Sequence, residues 1–387
     1  MVSLPCQNIA LLGALSSLFL FPASLLGTPQ FARVYKVDCS HCHSLPPRLN
    51  ARGLAFVAAG YRFPEAEGTR GRTIPLAIWN TLDAEWRHSA DLNKAFPSRI
   101  EIISAGSIGG TRASYFAEWR ALSQSLMSNG RLLNRSGRFE DLYVKVPVAM
   151  GGAIAVTVGQ FRALSQVDVS LRLGLSEPLA FSSGLPSPVR ASSARLTGLR
   201  GFSASGRQPA LRLEYQPGAR DFTGDGWFVA AALPLAGELT VPLTDAASFE
   251  FEARPKGVFV ESFRRWGLTT FGGHAFVGDR RRLATVVATH NITPRVSLLG
   301  GIGRFNAAAA TDTRFSLGSE VTLSRHLVAG IRVDHRTEQR LDPVVLLYGN
   351  GHLPFGPAAF RQALRLQIEQ RVQPRNHVTT VAVSHIF

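Results

Sequence analysis

The chain has 387 residues, of which 45% are hydrophobic and 18% charged, and its mean hydropathy is +0.07. That balance excludes a polytopic helical membrane protein and leaves two or three ordinary domains or one large β domain. The formal net charge of +15 is almost all arginine, scattered through alternating segments with no nucleic-acid motif, which argues against nucleic-acid binding and for contact with anionic lipid or a pore lining.

In chain order, the first element is an apolar run, Ile9–Phe21, closed by Pro22 and followed by small residues to Gly27. It resembles the hydrophobic stretch and small-residue exit of a secretory signal peptide, although no Lys or Arg precedes Arg33. The run is shorter than the roughly 20 residues a membrane-spanning helix needs. Residues 1–27 are therefore expected to be removed on export, and Cys6 with them. No later apolar run reaches the about 18 residues that would mark a spanning helix.

The second element is Cys39-Ser40-His41-Cys42-His43. C-x-x-C followed directly by His is the attachment signature of c-type haem. Each thiol adds to one vinyl group of the porphyrin, and the adjoining imidazole takes the iron. Cys39 and Cys42 are the expected thioether residues, and His43 the expected proximal ligand, of one covalent haem c. Attachment takes place outside the cytoplasm, in agreement with the export signal. A disulfide between the two cysteines is one alternative. A zinc site is another, but this region has no second Cys/His pair at zinc spacing.

The sixth coordination position is open. Met127 and Met150 fall in or near strand-like segments, and His41 lies inside the motif. His88 is the first histidine downstream and the first candidate; a histidine from elsewhere, or a five-coordinate iron, are the others. Residues 28–73 are too few to enclose a porphyrin, so the rest of the chain must supply the remaining wall.

Residues 74–387 read as repeated short strands. In Thr313–Ser324, Phe315, Leu317, Val321 and Leu323 share one face, and Arg314, Ser316, Glu320 and Thr322 the other. Beyond the turn at Ser324-Arg325-His326, Leu327, Ala329, Ile331 and Val333 alternate with Gly330, Arg332 and Asp334. Leu364, Leu366 and Ile368 alternate with Arg365, Gln367 and Glu369. This is a period of two throughout. Further strands are expected at Leu76–Arg87, Arg99–Ile108, Ala113–Leu122, Glu140–Val148, Ala153–Phe161, Ala210–Tyr215, Trp227–Leu235, Ser248–Arg254, Gly257–Phe263, Leu268–Val277, Leu283–His290 and Arg295–Phe305.

The expected fold is all-β, a transmembrane antiparallel β-barrel of about 14–16 strands behind a small N-terminal haem-binding segment. Ala163–Gln208 reads as a long loop with a short helix near Val167–Leu175, and Asp221–Gly226 as a turn with a weak calcium-loop flavour. The last strand ends on Phe387, with Val381 and Val383 on its face. An aromatic C-terminus of this kind resembles the signal read by the outer-membrane assembly machinery. A β-sandwich also alternates, but the strand number and a face of Arg, Glu, Asp, Ser and Gly favour a barrel with a wet lumen.

Pro29-Gln30-Phe31-Ala32-Arg33, the C-x-x-C-H motif, Pro47-Arg48-Leu49-Asn50 and Gly60-Tyr61 together resemble the N-terminal region of fused monohaem cytochrome–porins. Ser104–Trp119 and Val156–Arg162 are similar to strands of related haem-bearing barrels. The resemblance implies an outer-membrane c-type cytochrome of a Gram-negative bacterium. It would carry electrons between an extracellular donor or acceptor, such as ferrous iron, and periplasmic cytochromes. The iron-oxidising members follow the motif with an aromatic–Gln pair, whereas this chain has Ser44-Leu45-Pro46, which leaves the substrate open. The alternative is a porin-like solute channel with the haem segment as a plug, in which Arg314, Arg332 and Arg365, if lumenal, would favour anions. The other expected contact is outer-membrane lipid, and no nucleic acid.

Overall fold

The computed structural model describes residues 30–45, 48–63, 75–87, 92–109, 111–126, 130–134, 136–162, 207–217, 226–235, 239–240, 250–251, 257–278, 281–307, 310–337, 344–355, 362–373 and 376–386. Sixteen long strands carry the fold: β1 (Leu76–Arg87), β2 (Leu92–Ser107), β3 (Ser114–Leu126), β4 (Arg138–Ala149), β5 (Ile154–Arg162), β6 (Arg207–Tyr215), β7 (Gly226–Pro234) and β8 (Gly257–Trp266), then β9 (Thr269–Gly278), β10 (Arg281–Thr293), β11 (Val296–Ala307), β12 (Ala310–Ser324), β13 (Leu327–Arg336), β14 (Val344–Phe355), β15 (Gln362–Gln373) and β16 (Asn376–Ile386). Each pairs antiparallel with the next, and β16 pairs back onto β1 from Val378↔Arg87 to Ile386↔Trp79, closing a barrel. We call the end where β1 starts and β16 stops the near end. Two-residue turns close it at 267–268, 294–295 and 325–326. The longest connections, 163–206 and 235–256, leave the far end.

The faces decide what kind of barrel this is. On β12, Leu317 points outward at 67% exposure, while Arg314 points inward at 0%. Leu142, Val144 and Val146 on β4, Ile331 and Val333 on β13, and Leu366 and Ile368 on β15 are likewise exposed. Glu101, Glu140, Glu214, Glu261, Asp334 and Glu369 are buried. A water-soluble protein has the opposite arrangement; an apolar exterior around a polar interior suits a barrel in lipid. The closed sheet also replaces the sandwich alternative, because no strand edge is left to pack on a second sheet. Among the described residues, no helix is long and apolar enough to cross a membrane.

Two strand expectations change, and their errors cancel in the count. Ser248–Arg254 is not a barrel strand; its described part, Glu250–Phe251, pairs only with Leu239–Thr240 in a separate two-stranded ribbon. Val344–Phe355 is a barrel strand that the alternation does not reveal, because Leu346 and Tyr348 on its inner face are as apolar as Leu347 on its outer one. The second strand begins at Leu92 rather than Arg99. Pro97 hides its first half and is accommodated beside a register shift opposite Thr81 and Leu82, the kind of bulge where proline is tolerated. The short helix near Val167–Leu175, the Asp221–Gly226 turn and Phe387 lie largely or wholly outside the described residues.

Leu317 lies midway along β12 and faces outward. Leu317→Arg is expected to destabilise the barrel by about 2–4 kcal/mol, the cost of a cation at the bilayer midplane. Urea titration in vesicles, followed by heat-modifiable gel mobility, checks this. An unchanged midpoint would place Leu317 outside the lipid layer.

Candidate functional site

The N-terminal segment contains two helices, α1 (Gln30–Tyr35) and α2 (Ala51–Ala58). Between them Cys39–His41 form a 3-10 turn, and Cys42 N–H closes it on the Cys39 carbonyl at 3.2 Å. Asn50 ties this turn to α2. Its side-chain oxygen caps the helix by accepting from Gly53 N–H at 2.9 Å, and its amide donates to the Ser40 and His41 carbonyls at 3.1 and 3.3 Å. Its own N–H donates to the Cys42 carbonyl at 2.9 Å. A side chain at Gly53 would collide with that carbonyl, so only glycine lets α2 lie this close to the motif.

Aromatic rings fill the space behind. Phe56, Tyr61 and Phe63 are buried in one cluster with Ala105 of β2, and Phe31, Tyr35, Cys42 and Phe116 pack against it. Phe31 stacks on Tyr61 at 5.1 Å, and His41 meets the edge of Phe63 at 5.1 Å. The segment docks on the inner wall of β2–β4 at the near end. Tyr61 Oη lies 2.7 Å from Tyr143 Oη. Arg62 donates to the Ala113 carbonyl at 2.8 Å. Gly60, at φ +72°, sits so close to Ser114 that a Cβ would be 2.8 Å from its Oγ. The stretch Ser104–Trp119, singled out by resemblance, is this dock.

Cys39 and Cys42 are both thiols. Burial pushes the Cys42 thiol up to about 11, the Arg52 charge pulling the other way. Burial and Arg52 together hold His41 below its ordinary value. His43 begins a short ribbon, paired with Leu49. His352 lies on the lumenal face of β14. His352 is 4% exposed, and neither ring nitrogen has a hydrogen-bond partner. Beside it on the inner face are Arg365, its register partner on β15, and Trp79 of β1, under the Arg365 guanidinium at 6.0 Å. Trp79 Nε1 is also buried without a partner.

Two thiols and an imidazole within five residues fit a c-type haem in the chemistry of their donors. Among the described residues no group of three or more His, Cys, Asp and Glu converges as a metal site, so nothing here strengthens the zinc alternative. His88 lies outside the described residues.

The arginines expected in the lumen are found there. Arg314, Arg332 and Arg365 do face inward and are buried, but Arg314 is held by Asp312 at 2.7 Å and Arg332 by Asp334 at 3.0 Å. Arg365 Nε donates to Asn350 at 3.2 Å. Residues two apart on a strand share a face, and acid–base neighbours at that spacing neutralise each other. Asp312 also meets Arg336 at 2.8 Å, so this pairing lowers the positive charge of the wall without removing it. On β2–β6 the same pairing widens into a network: Glu140 meets Arg120, Arg138 and Arg207 at 3.2, 2.8 and 2.5 Å.

An apolar outer belt, a paired polar lumen and sixteen closed strands together decide the architecture. This is the porin fold. The chain matches the structure of a Salmonella typhi OmpF complex with daunomycin at a TM-score of 0.53 and 11% identity, covering 81% of this chain and 97% of that one. It also aligns with the outer membrane channel DcaP of Acinetobacter baumannii (TM-score 0.47, 10% identity, 85% and 100% coverage). A Rh. blastica porin mutant aligns similarly (TM-score 0.48, 10% identity, 81% and 99% coverage). At these identities the likeness is one of fold. No protein-family model and no curated protein matches the chain.

His352 and Trp79 carry no motif; only the register of a closed barrel brings them together around Arg365. In haem-free protein with Cys39→Ser, alkylation of Cys42 is expected to rise about tenfold per pH unit until about pH 11, because only the thiolate reacts and its pKa is raised. Mass spectrometry after timed iodoacetamide pulses measures this. A plateau reached by pH 9 would show an exposed thiol.

Proposed function

We propose that the protein is an outer-membrane barrel of the porin type whose lumen is narrowed at the near end by its own N-terminal segment. The observation that carries this is the docking of Tyr61, Arg62 and Gly60 on the inner wall of β2 to β4, within a barrel whose outer face is apolar. The near end is then the periplasmic one, since the segment enters from the side where β1 begins. Conductance in planar bilayers tests this. The full chain is expected to pass little current, and a variant lacking residues 30–63 to open severalfold. Equal conductance would remove the plug from the account.

A second reading is favoured by one feature of that plug, the C-x-x-C-H motif that it carries. In this reading Cys39 and Cys42 would hold a haem through thioether bonds, and His43 would hold its iron. The haem would supply one-electron exchange at its iron. The chain's own part is to fix the turn through Asn50, exclude water with Phe56, Tyr61 and Phe63, and hold the site inside a layer about 30 Å thick. Periplasmic cytochromes on the near side and a metal ion or other redox partner outside are the proposed exchange partners, as in the cytochrome–porins that the N-terminal motifs resemble.

Haem-peroxidase staining of a denaturing gel separates the two readings. If the plug bears haem, a heat-modifiable membrane band made in cells with c-type maturation stains, and Cys39→Ala/Cys42→Ala abolishes the stain without changing heat modification. An unstained wild-type band would leave the channel reading alone.

A further inference from the structure

We propose that the outer wall of β7–β9 carries a binding site for an anionic phospholipid of the periplasmic leaflet, with Arg264 holding its phosphate. The inference goes beyond the plug and shares with that reading only the assignment of the near end to the periplasm. On β8, Phe259, Glu261 and Phe263 point inward and are buried, while Val258, Val260 and Trp266 are exposed on the outer face. Arg264 belongs to that outer face, two residues before the strand ends at Trp266. Unlike Arg314 and Arg332 in the lumen, which have carboxylate partners, its guanidinium has no ion pair or hydrogen bond among the described residues. It stands over the rings of Trp227 at 5.3 Å and Trp266 at 5.6 Å. A lipid-facing arginine is costly at the bilayer midplane and tolerated near an interface, and tryptophan collects at headgroup depth. The guanidinium fork matches the oxygens of a phosphate.

The wall beside Arg264 is hollowed. Trp227, Arg264 and Phe271 form one register row across β7, β8 and β9, and the next row toward the far end is Val229, Ser262, Gly273 and Val286. A groove of about 490 Å³ runs between them, with Trp227, Arg264 and Phe271 at its rim and Ser262, Gly273 and Val286 deeper. A Cβ at Gly273 would run into the Thr285 carbonyl, so the floor stays bare there. Ala275, the next outward residue of β9, continues the low strip toward the midplane. A phosphate at Arg264 with an acyl chain along Ser262, Gly273 and Ala275 fits both the charge and the shape. None of the residues lining the groove is acidic, so the ammonium of a zwitterionic headgroup finds no partner, and a net-anionic headgroup is favoured.

Native mass spectrometry of the full chain in detergent, supplied with equal amounts of phosphatidylglycerol, phosphatidylethanolamine and lipid A, tests this. Heat-modifiable mobility shows that each variant is folded. The wild type is expected to retain phosphatidylglycerol in preference to the other two, and excess inorganic phosphate, which has no acyl chain, is expected not to displace it. Arg264→Gln is expected to bind it about tenfold more weakly, the worth of a hydrogen bond to a charged group. Ser262→Leu, which fills the floor and keeps the charge, is expected to weaken it too. Arg304→Gln, at an exposed arginine of β11, is expected to change nothing. A lipid-free wild type, full retention by Arg264→Gln or Ser262→Leu, an equal loss in Arg304→Gln, a preference for phosphatidylethanolamine, or displacement by phosphate overturns the site. A lipid-free multimer that Arg264→Gln dissociates overturns it in favour of an interface between copies of this chain. A preference for lipid A places this rim in the outer leaflet and overturns the inference together with the periplasmic near end, while the conductance of the variant lacking residues 30–63 tests the plug separately.

Discussion

Pairing of β16 with β1 leaves no open edge in the sheet, and that closure governs the rest of the molecule. In hydrocarbon an unpaired N–H or C=O costs several kcal/mol, so a sheet crosses lipid only as a closed ring. Closure then sorts the side chains, because alternate residues must face either lipid or lumen. Leu317, Ile331 and Ile368 go out; Arg314, Arg332 and Glu369 go in. The inward charges in turn need partners, since removing one member of a buried pair costs about 3–5 kcal/mol. Neighbours two apart on the same strand provide them, as at Arg99–Glu101, Arg212–Glu214 and Arg332–Asp334.

The plug follows from the same constraint. Residues 30–63 are too few to bury a core of their own, and the lumen offers both an apolar patch and hydrogen-bonding wall. Phe56, Tyr61 and Phe63 find Ala105 and Phe116, and Tyr61 finds Tyr143. Tyr61 holds a left-handed backbone, φ 61°, a conformation that costs free energy in a non-glycine residue and is here fixed by the Tyr35 bond to its carbonyl at 2.7 Å. The channel and electron-carrier readings share this arrangement. They differ only in what the turn at Cys39–His43 holds.

Much of the barrel was legible from the sequence because period-two alternation is a direct image of lipid-out, polar-in sorting. It worked where the two faces differ, as on Thr313–Ser324. It failed where the inner face is apolar, as at Leu346 and Tyr348, and where a proline sits at a bulge, as at Pro97. Cys39, Cys42 and His43 stand out in the sequence by their C-x-x-C-H spacing, and the haem that spacing suggests remains the proposal above. Asn50 and Gly53 belonged to a recognisable stretch, but their role in holding α2 on the motif is a three-dimensional fact. His352 was invisible, since it carries no motif and only the register of β14 and β15 sets it beside Arg365 on the inner wall. The acid–base neighbours at a spacing of two were present in the sequence, and they were the available sign that Arg314 and Arg332 have carboxylate partners in the lumen.

The account depends most on the N-terminal segment lying against the inner wall. A cross-link measures that directly. In a chain with Cys6, Cys39 and Cys42 replaced, Gly60→Cys and Ser114→Cys would put two thiols across the dock, where a Cβ at Gly60 lies 3.2 Å from that of Ser114, close to the span of a disulfide. Mild oxidation of membranes is expected to give a disulfide-linked, heat-modifiable band that reduction reverses. A properly folded barrel in which both thiols stay free and accessible to alkylation would contradict the account.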